Sequence, residues 1–487
     1  MDSLVAANTK FCFDIFQEIS RDDCRKNIFF CPLSLSAALG MVRLGARGDS
    51  GRQIDEQRLA AEYSVYLPVL ALDVPSSGTG VTCSQQDAVQ CSTHRLPPAC
   101  KLWPVHLLCL VGFNTLDSVN VTQVLHFNEI SQEEDKEPIP CRKSRERVPA
   151  DSASEGQKGV TGATESSKEE NELLSCYFGK LLSRLDRIKP DYTISIANRL
   201  YGEQEFPISR EYVEGVIQFY HTTIESVDFR KDPENSRQLI NFWVESQCQG
   251  KIKEFFSKNT INDATVLVLV NAVYFKAKWD RCFDYKHTVE ADFVLNEKEK
   301  KSVKMMKQKG VFKLGFVEEL KMQILEIKYT KGELSMFVLL PSSSEDNLQS
   351  LCELERNITY EKVAAWCNSK NMSEEKVAVS FPQFTLEDTY DLNSFLQDLG
   401  ITDIFDERKA DLTRISSSPN LYLSKVVHKA FVEVDEAGTE AAAGSGAVGV
   451  EMSVPSWAEF NANHPFLFLI RHNKTQSILF YGRVCSP

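Results

Sequence analysis

Positive charge is scarce in this chain, and so is histidine. The 487 residues include 55 Lys and Arg against 68 Asp and Glu, which gives a formal net charge of −13, and only 8 His. An excess of acidic residues disfavours general binding to nucleic acid and to anionic membrane surfaces, because both repel a negative protein. We therefore predict that neither nucleic acid nor membrane is a partner.

Familiar enzyme motifs are also missing. No G-x-S-x-G elbow, phosphate-binding loop, H-E-x-x-H pair or dinucleotide fingerprint stands in a convincing context. The few histidines leave little choice of general bases. We predict that the chain is not an enzyme and that it uses no cofactor.

The cysteines lack the spacing that would give them a structural role. There are 14, but they show neither the regular pairs of a disulfide framework nor the close C-x-x-C pairs of a zinc site. Free thiols are typical of a reducing compartment. The sequence predicts no metal site, even where Cys91 and His94 lie close together.

Long hydrophobic runs are absent too. The apolar stretch 103–113 is about half of the roughly 20 residues that a membrane-spanning helix needs. The N-terminal residues place Phe11, Ile15 and Ile19 at helical spacing among charges, which predicts an amphipathic helix rather than a signal peptide. We expect a soluble, cytoplasmic protein.

One unusual stretch is present near the C-terminus, at 436–460. Between Ala441 and Val450 it contains no charge, no proline and nothing larger than valine. Every second residue from Thr439 to Gly449 is small, so the stretch could enter a sheet without steric clash, while its glycines disfavour a stable helix. The pattern predicts a segment that is mobile in one state and a strand in another.

Four sequence strings resemble signatures of the serpins and occur in serpin order. They are N-I-F-F-C-P-L-S-L-S-A-A-L at 27–39, N-A-V-Y-F-K-A-K-W at 271–279, L-S-K-V-V-H-K-A at 423–430 and E-A-G-T-E-A-A-A at 436–443, with N-H-P-F-L-F-L-I after them at 463–470. The resemblance covers nearly everything outside about 57–123. The Ser-Pro ending and the missing signal peptide resemble the intracellular, ovalbumin-like branch, clade B.

The resemblance implies an α+β serpin fold. We expect a large central, mostly antiparallel sheet A, sheets B and C, about nine helices and an exposed reactive-centre loop. The whole chain, 1–487, would form one domain, with an unstructured insertion at 57–123 that interrupts a helix after Glu56, and a flexible, polar linker at 130–167.

Local patterns predict the main elements. An apolar stripe predicts a helix over 173–185, and apolar or alternating runs predict strands over 192–201, 265–275 and 421–434, followed by a hairpin of 466–470 with 478–484. Helices are predicted over 351–370 and 389–399, around a strand at 377–384. The Lys-rich tract 298–309 is interpreted as the solvated side of strands in preference to a polyanion site.

The resemblance assigns roles to four residues outside the loop. Ser34, Asn271 and His428 would form the shutter, a buried hydrogen-bonded group that holds the central strands together until they part. Cys31 stands where serpins commonly have serine, which replaces a good hydrogen-bond donor with a poor one. Trp279 would cap the upper opening of the sheet, the breach, although alone it would be interpreted as a core aromatic.

The resemblance also divides the C-terminal stretch into a hinge and an attacked bond. Counting seventeen residues from Glu436 places the reactive bond at Met452-Ser453, although Val450 and Val454 are alternative points of attack. The hinge residues are Glu436, Gly438, Thr439, Glu440, Ala441, Ala442 and Ala443.

The implied function is inhibition of serine proteases as a suicide substrate. Cleavage of the loop, capture of the acyl-enzyme and insertion of the freed strand would give a covalent complex between a monomeric inhibitor and the protease. Methionine at the attacked bond favours chymotrypsin-like or elastase-like targets over trypsin-like ones, since no Lys or Arg occurs in 430–470. The alternatives are a serpin-fold binding or storage protein that traps nothing, and an inhibitor of papain-like cysteine proteases.

Overall fold

The computed structural model describes residues 2–21, 23, 25–64, 175–185 except 177 and 184, 192–437 except 297, 345 and 369, and 457–487. All of these belong to one compact unit formed by 1–70 and 158–487. The predicted linker, most of the predicted insertion and residues 438–456 lie outside the described residues.

Nine α-helices occur among the described residues. They are α1 (Asp2–Ser20), α2 (Pro32–Gly45), α3 (Gly48–Ser64), α4 (helical residues within 175–185), α5 (Arg210–Tyr220), α6 (Pro233–Gln247), α7 (Asn347–Asn357), α8 (Tyr360–Trp366) and α9 (Asn393–Asp398). Side-chain caps mark the first residues of several of these helices. Asp232 caps α6 by accepting from Asn235 N at 3.1 Å, and Pro233 follows at the first helical position.

Helix α3 is longer than the sequence indicated. We expected the helix to break after Glu56, but the backbone remains helical to Ser64. Residues 57–62 are Gln, Arg, Leu, Ala, Ala and Glu, all good helix formers, so the first part of the expected insertion extends the helix by local propensity.

Five strands form the sheet that corresponds to the expected sheet A. The strands are β2 (Tyr192–Glu203), β3 (Ile224–Val227), β4 (Leu267–Ala277), β10 (Phe384–Asp391) and β11 (Lys425–Val434). Their order in the sheet is β10-β11-β4-β2-β3. The pairs β10·β11 and β2·β4 are antiparallel, whereas β4·β11 and β2·β3 are parallel. The sheet is therefore evenly mixed, where the resemblance led us to expect a mostly antiparallel one.

The other nine strands form one continuous hydrogen-bonded sheet. They are β1 (Ile28–Phe30), β5 (Val289–Asn296), β6 (Glu299–Val317), β7 (Met322–Lys328), β8 (Leu334–Pro341), β9 (Ser373–Pro382), β12 (Ala458–Asn461), β13 (Phe466–His472) and β14 (Ser477–Val484). The expected sheets B and C are joined because β6, with 19 residues, pairs with β5, β7 and β9 along its length. The predicted closing hairpin is present as β13 and β14.

Strand β10 replaces the start of a predicted helix. We expected a helix over 389–399, but the strand continues to Asp391 and α9 contains only Asn393–Asp398. Every residue of β10 pairs with β11, from Phe384 opposite Val434 to Asp391 opposite Val427. The alternation of Phe384, Leu386 and Tyr390 with polar residues and the pairing with β11 both favour this strand over the predicted helix.

The five-stranded sheet is covered on both faces. Alternate residues of β4 lie in two different hydrophobic clusters: Leu269 and Phe275 pack in the larger core with the other sheet, whereas Val268 and Val270 pack with Ile240 and Val244 of α6. This explains the nearly continuous apolar run of β4. A strand placed next to β4 would therefore have both of its faces buried.

Candidate functional site

The centre of the site is the seam between β4 and β11. The two strands pair directly and in parallel over eight register positions, from Lys425 opposite Val268 to Val432 opposite Phe275. Within this ladder His428 lies opposite Asn271. On the outer sides, Asn198 of β2 lies opposite Asn271, and Tyr390 of β10 lies opposite His428. A row of polar side chains therefore crosses four strands at one level of the sheet.

The three predicted shutter residues come together in this row. Ser34 Oγ on α2 donates to Asn271 Oδ1 at 3.0 Å, and His428 Nδ1 makes a short hydrogen bond to the same oxygen. Asn271 Nδ2 in turn donates to Asn198 Oδ1, and Asn198 Nδ2 donates to the Ser34 carbonyl at 3.2 Å. Ser34, Asn271 and His428 have no exposed surface, so the group is a fully buried polar network.

The contacts of His428 define its tautomer. Its Nε2 accepts from the backbone N–H of Cys31 at 3.2 Å, so Nδ1 must carry the hydrogen that is donated to Asn271 Oδ1. Burial lowers the pKa of His428 to about 3, from an ordinary value of 6.5. The imidazole therefore stays neutral at physiological pH and joins α2 to the seam.

Cys31 acts here through its backbone and as a helix cap. Its Sγ accepts from Ser34 N at 3.4 Å at the start of α2. Burial raises the pKa of the Cys31 thiol to about 11, so the side chain remains an unreactive thiol. The serine-to-cysteine departure thus leaves a weak cap at this helix end, whereas the bond to His428 comes from the backbone N–H and survives.

Trp279 lies just beyond the end of β4, beside the chain that leaves β11. It is 2 % exposed and stacks on Tyr329, with ring centroids 4.4 Å apart. Its indole Nε1–H donates to the carbonyl of Asp435 at 2.9 Å. Trp279 is therefore both a core aromatic and a direct contact of residues 435–437, where the predicted hinge begins.

The segment 435–437 is fixed by several further hydrogen bonds. The backbone N–H of Phe283 donates to the Glu436 carbonyl at 2.9 Å, and Thr288 Oγ1 donates to Glu436 Oε1 at 2.6 Å. The N–H of Trp279 donates to the carbonyl of Ala437 at 3.3 Å. Of the predicted hinge, Glu436 is described here; Gly438 to Ala443 and the Met452-Ser453 bond lie outside the described residues.

Two contributors to the polar row were missed in the sequence. Asn198 follows Tyr192, Ile194 and Ile196 at period two, so an amide on the apolar face of a predicted strand was a usable signal. Tyr390 was hidden because its strand was predicted as a helix. Its hydroxyl accepts from Phe29 N at 3.3 Å, and its ring stacks at 6.2 Å on that of His428.

The family model for serpins, described as serine protease inhibitors, matches residues 6–85 and 120–487. The chain belongs to the serpin family. This serpin is 61 % identical over 487 residues to Serpin B12 of Homo sapiens and 57 % identical over 490 residues to Serpin B12 of Mus musculus, with 100 % of each chain covered. It is also 34 % identical to leukocyte elastase inhibitor A of Mus musculus over 487 residues, again with full coverage of both chains.

Solved structures give the same result for the fold of this serpin. Uncleaved ovalbumin aligns over 100 % of both chains with a TM-score of 0.71 and 30 % identity. The ovalbumin-like, clade B branch is thus confirmed, and the serpin fold with it. None of the described helices is long and apolar enough to cross a membrane. Within the described ranges no His, Cys, Asp and Glu side chains group as metal ligands would.

Proposed function

We propose that this serpin is a suicide-substrate inhibitor of serine proteases that traps its target by inserting the cleaved loop between β4 and β11. The family description and the leukocyte elastase inhibitor among the relatives support protease inhibition in general. The trapping mechanism, the attacked bond and the target class are our proposal.

The parallel seam is the observation that carries this proposal. The loop leaves the end of β11, so a segment that turns back from 435–437 runs antiparallel to β11 and hence also to β4. Insertion would replace one parallel ladder of eight register pairs with two antiparallel ladders, which are slightly more stable per residue. At roughly 1 kcal/mol net for each added bond, the gain is on the order of 8 kcal/mol before burial is counted.

The two covered faces of the sheet restrict which loops can enter. An inserted strand would have one face towards Asn271 and the core between the sheets, and the other towards α6. Large or charged side chains would have to be buried there without partners, at a high cost. Thr439 and the alanines from Ala441 to Ala443 meet this requirement, which favours trapping over a binding or storage role without insertion.

The proposed chemistry is carried out by the protease. Its nucleophile attacks the carbonyl of Met452, the peptide bond to Ser453 breaks, and Ser453 leaves as a new amino terminus while Met452 remains esterified to the enzyme. Insertion then draws the attached enzyme along the sheet and distorts its active site before water can complete hydrolysis. A chymotrypsin-like or elastase-like pocket suits methionine. We propose that the inhibitor acts as a monomer and in the cytoplasm.

Incubation with chymotrypsin and with elastase tests the proposal. We expect a complex that survives denaturing electrophoresis, together with a released fragment whose mass matches residues 453–487. Thr439→Arg should turn the protein into a substrate, since a charged side chain cannot enter the seam, whereas Thr439→Ser is the matched control and should still trap. Cleavage without any complex would contradict the proposal and favour the non-trapping alternative. A stable complex with papain alone would move the target class to cysteine proteases.

A further inference from the structure

The lower end of the seam, farthest from the hinge, is closed by Ser424. This residue directly precedes β11, and its backbone N–H donates to the carbonyl of Leu267 at 2.8 Å. Its hydroxyl Oγ accepts from the N–H of Val266 at 2.9 Å. The side chain thereby extends the β4·β11 contact beyond the last register pair of the ladder, Lys425 opposite Val268.

Asn393 holds Ser424 from the other side. Its Nδ2 donates to the Ser424 carbonyl at 2.8 Å, and its Oδ1 accepts from Val426 N at 2.8 Å. Both bonds join the start of β11 to α9, which follows β10, and neither crosses the seam. When the seam opens, β11 therefore keeps Ser424 with it. The bonds that must break at this end are those of Ser424 to Val266 and Leu267, together with that of the Tyr422 hydroxyl to the Ala264 carbonyl at 3.2 Å.

The length of the loop determines whether this end has to open. Residues 438–452 number 15, and β4 has 11 residues from Leu267 to Ala277. If the loop pairs along all of β4, four of its residues, about 13 Å of extended chain, remain to be placed beyond the lower end of β4. Those residues would have to pass between Val266 and Ser424.

Space for these four residues lies directly beyond the bond between Ser424 and Val266. A cavity of about 260 Å³ is lined by Phe206, Arg230, Asp263, Val266, Glu407 and Tyr422. Val266 belongs both to this lining and to the bond with Ser424, so opening that bond would connect the seam with the cavity.

We propose that Ser424 is a clasp at the lower end of the seam that controls the last step of strand insertion, and that it is a positioning residue for trapping. Insertion from the hinge side can part the shutter while the clasp is still closed. The attached protease can reach its final position only after the bond between Ser424 and Val266 has broken. Until then, hydrolysis of the acyl-enzyme competes with completion of strand insertion. This inference rests on the proposed function for its consequence in trapping, but the opening of the clasp can be measured without a protease.

Peptide uptake by the intact protein tests the clasp. Two fluorescent synthetic peptides are used, one with the sequence of residues 438–452 and a short one with that of 438–445, which ends well above Ser424. We expect Ser424→Ala to speed uptake of the long peptide about fivefold, because one hydrogen bond fewer has to break, and to leave uptake of the short peptide unchanged. Ser424→Thr keeps the hydroxyl and should behave as the wild type. Ser302→Ala, the same change at an exposed position of β6, is the control.

Equal long-peptide rates for the wild type and Ser424→Ala would overturn the clasp, and so would an equal acceleration for both peptides. Absence of any long-peptide uptake in all variants would also overturn it, since the seam would then not accept a strand. In a second arm with chymotrypsin, Ser424→Ala should lower the fraction of inhibitor that is cleaved without forming a complex. If the long peptide enters faster but no variant forms a complex, the clasp stands and the proposed function fails.

Discussion

His428 should make the stability of the closed sheet sensitive to acid. Its pKa is about 3 in the folded protein, against an ordinary value of 6.5 for an exposed histidine, because burial disfavours the imidazolium. Below pH 6.5 the unfolded chain binds a proton that the folded chain does not, so the free energy of unfolding falls as pH falls towards 3. At pH 5.0 this difference amounts to about 2 kcal/mol, and above pH 7 it vanishes.

The assay compares urea unfolding of the wild type and His428→Gln at pH 7.5 and pH 5.0, followed by tryptophan fluorescence. Glutamine retains one donor and one acceptor for Asn271 Oδ1 and the Cys31 N–H, but it cannot be protonated. Between pH 7.5 and pH 5.0 the urea midpoint of the wild type should therefore fall by about 0.7 M more than that of His428→Gln, at an m-value of about 3 kcal/mol/M. His287→Gln, an exposed position, is the control and should follow the wild type.

Parallel shifts of the wild type and His428→Gln would refute this reasoning. The imidazole would then be protonated in the folded protein as readily as in the unfolded chain. Other buried histidines, such as His464, are present in both proteins and cancel in the comparison.

Three further changes should alter stability. Burial raises the pKa of Asp388 to about 6, so the folded state holds a proton more tightly than the unfolded one, and stability declines as pH rises from about 4 to 6. Asp388→Asn should therefore raise the free energy of unfolding by about 1–2 kcal/mol at pH 7.5 and leave it unchanged below pH 4. Equal gains at both pH values would exclude ionisation of Asp388 as the cause. Cys31→Ser should strengthen the cap of α2 and add about 0.5–1 kcal/mol to the free energy of unfolding, so a loss would show that the thiol is preferred. Trp279→Phe keeps an aromatic ring for Tyr329 but removes the donor to the Asp435 carbonyl; we expect a cost of about 1 kcal/mol in urea unfolding, and no cost would mean that the indole N–H does not hold this segment.

Much of the central sheet could be predicted because its inner strands have apolar or alternating residues that reflect their burial. The apolar run of β4 and the alternating residues of β2 carry their own signals, and α2 has proline at its first position. Ser34, Asn271, His428 and Trp279 were predicted as site residues from the family signatures. Their hydrogen bonds now give each of them a physical role.

Pairings between distant segments could not be predicted from local patterns. The alternation of Phe384, Leu386 and Tyr390 with polar residues was a usable strand signal, but the partner of this strand, Val427–Val434, could not be predicted locally. The continuity of β6 through the second sheet likewise depends on its three partners. The clasp was hidden for the same reason, because Ser424 and Val266 are 158 residues apart. A serine before a strand is ordinary until its partner is known.

The distances along the chain within the polar row also bear on how the protein is made. Asn271 and His428 are 157 residues apart, and Cys31 and His428 are 397 apart. At about 5–20 residues per second, a ribosome adds Asn271 to the chain roughly 8–30 s before it adds His428. During that time the apolar β4 strand of the nascent chain lacks its neighbour β11, and exposed apolar strands of this kind favour aggregation.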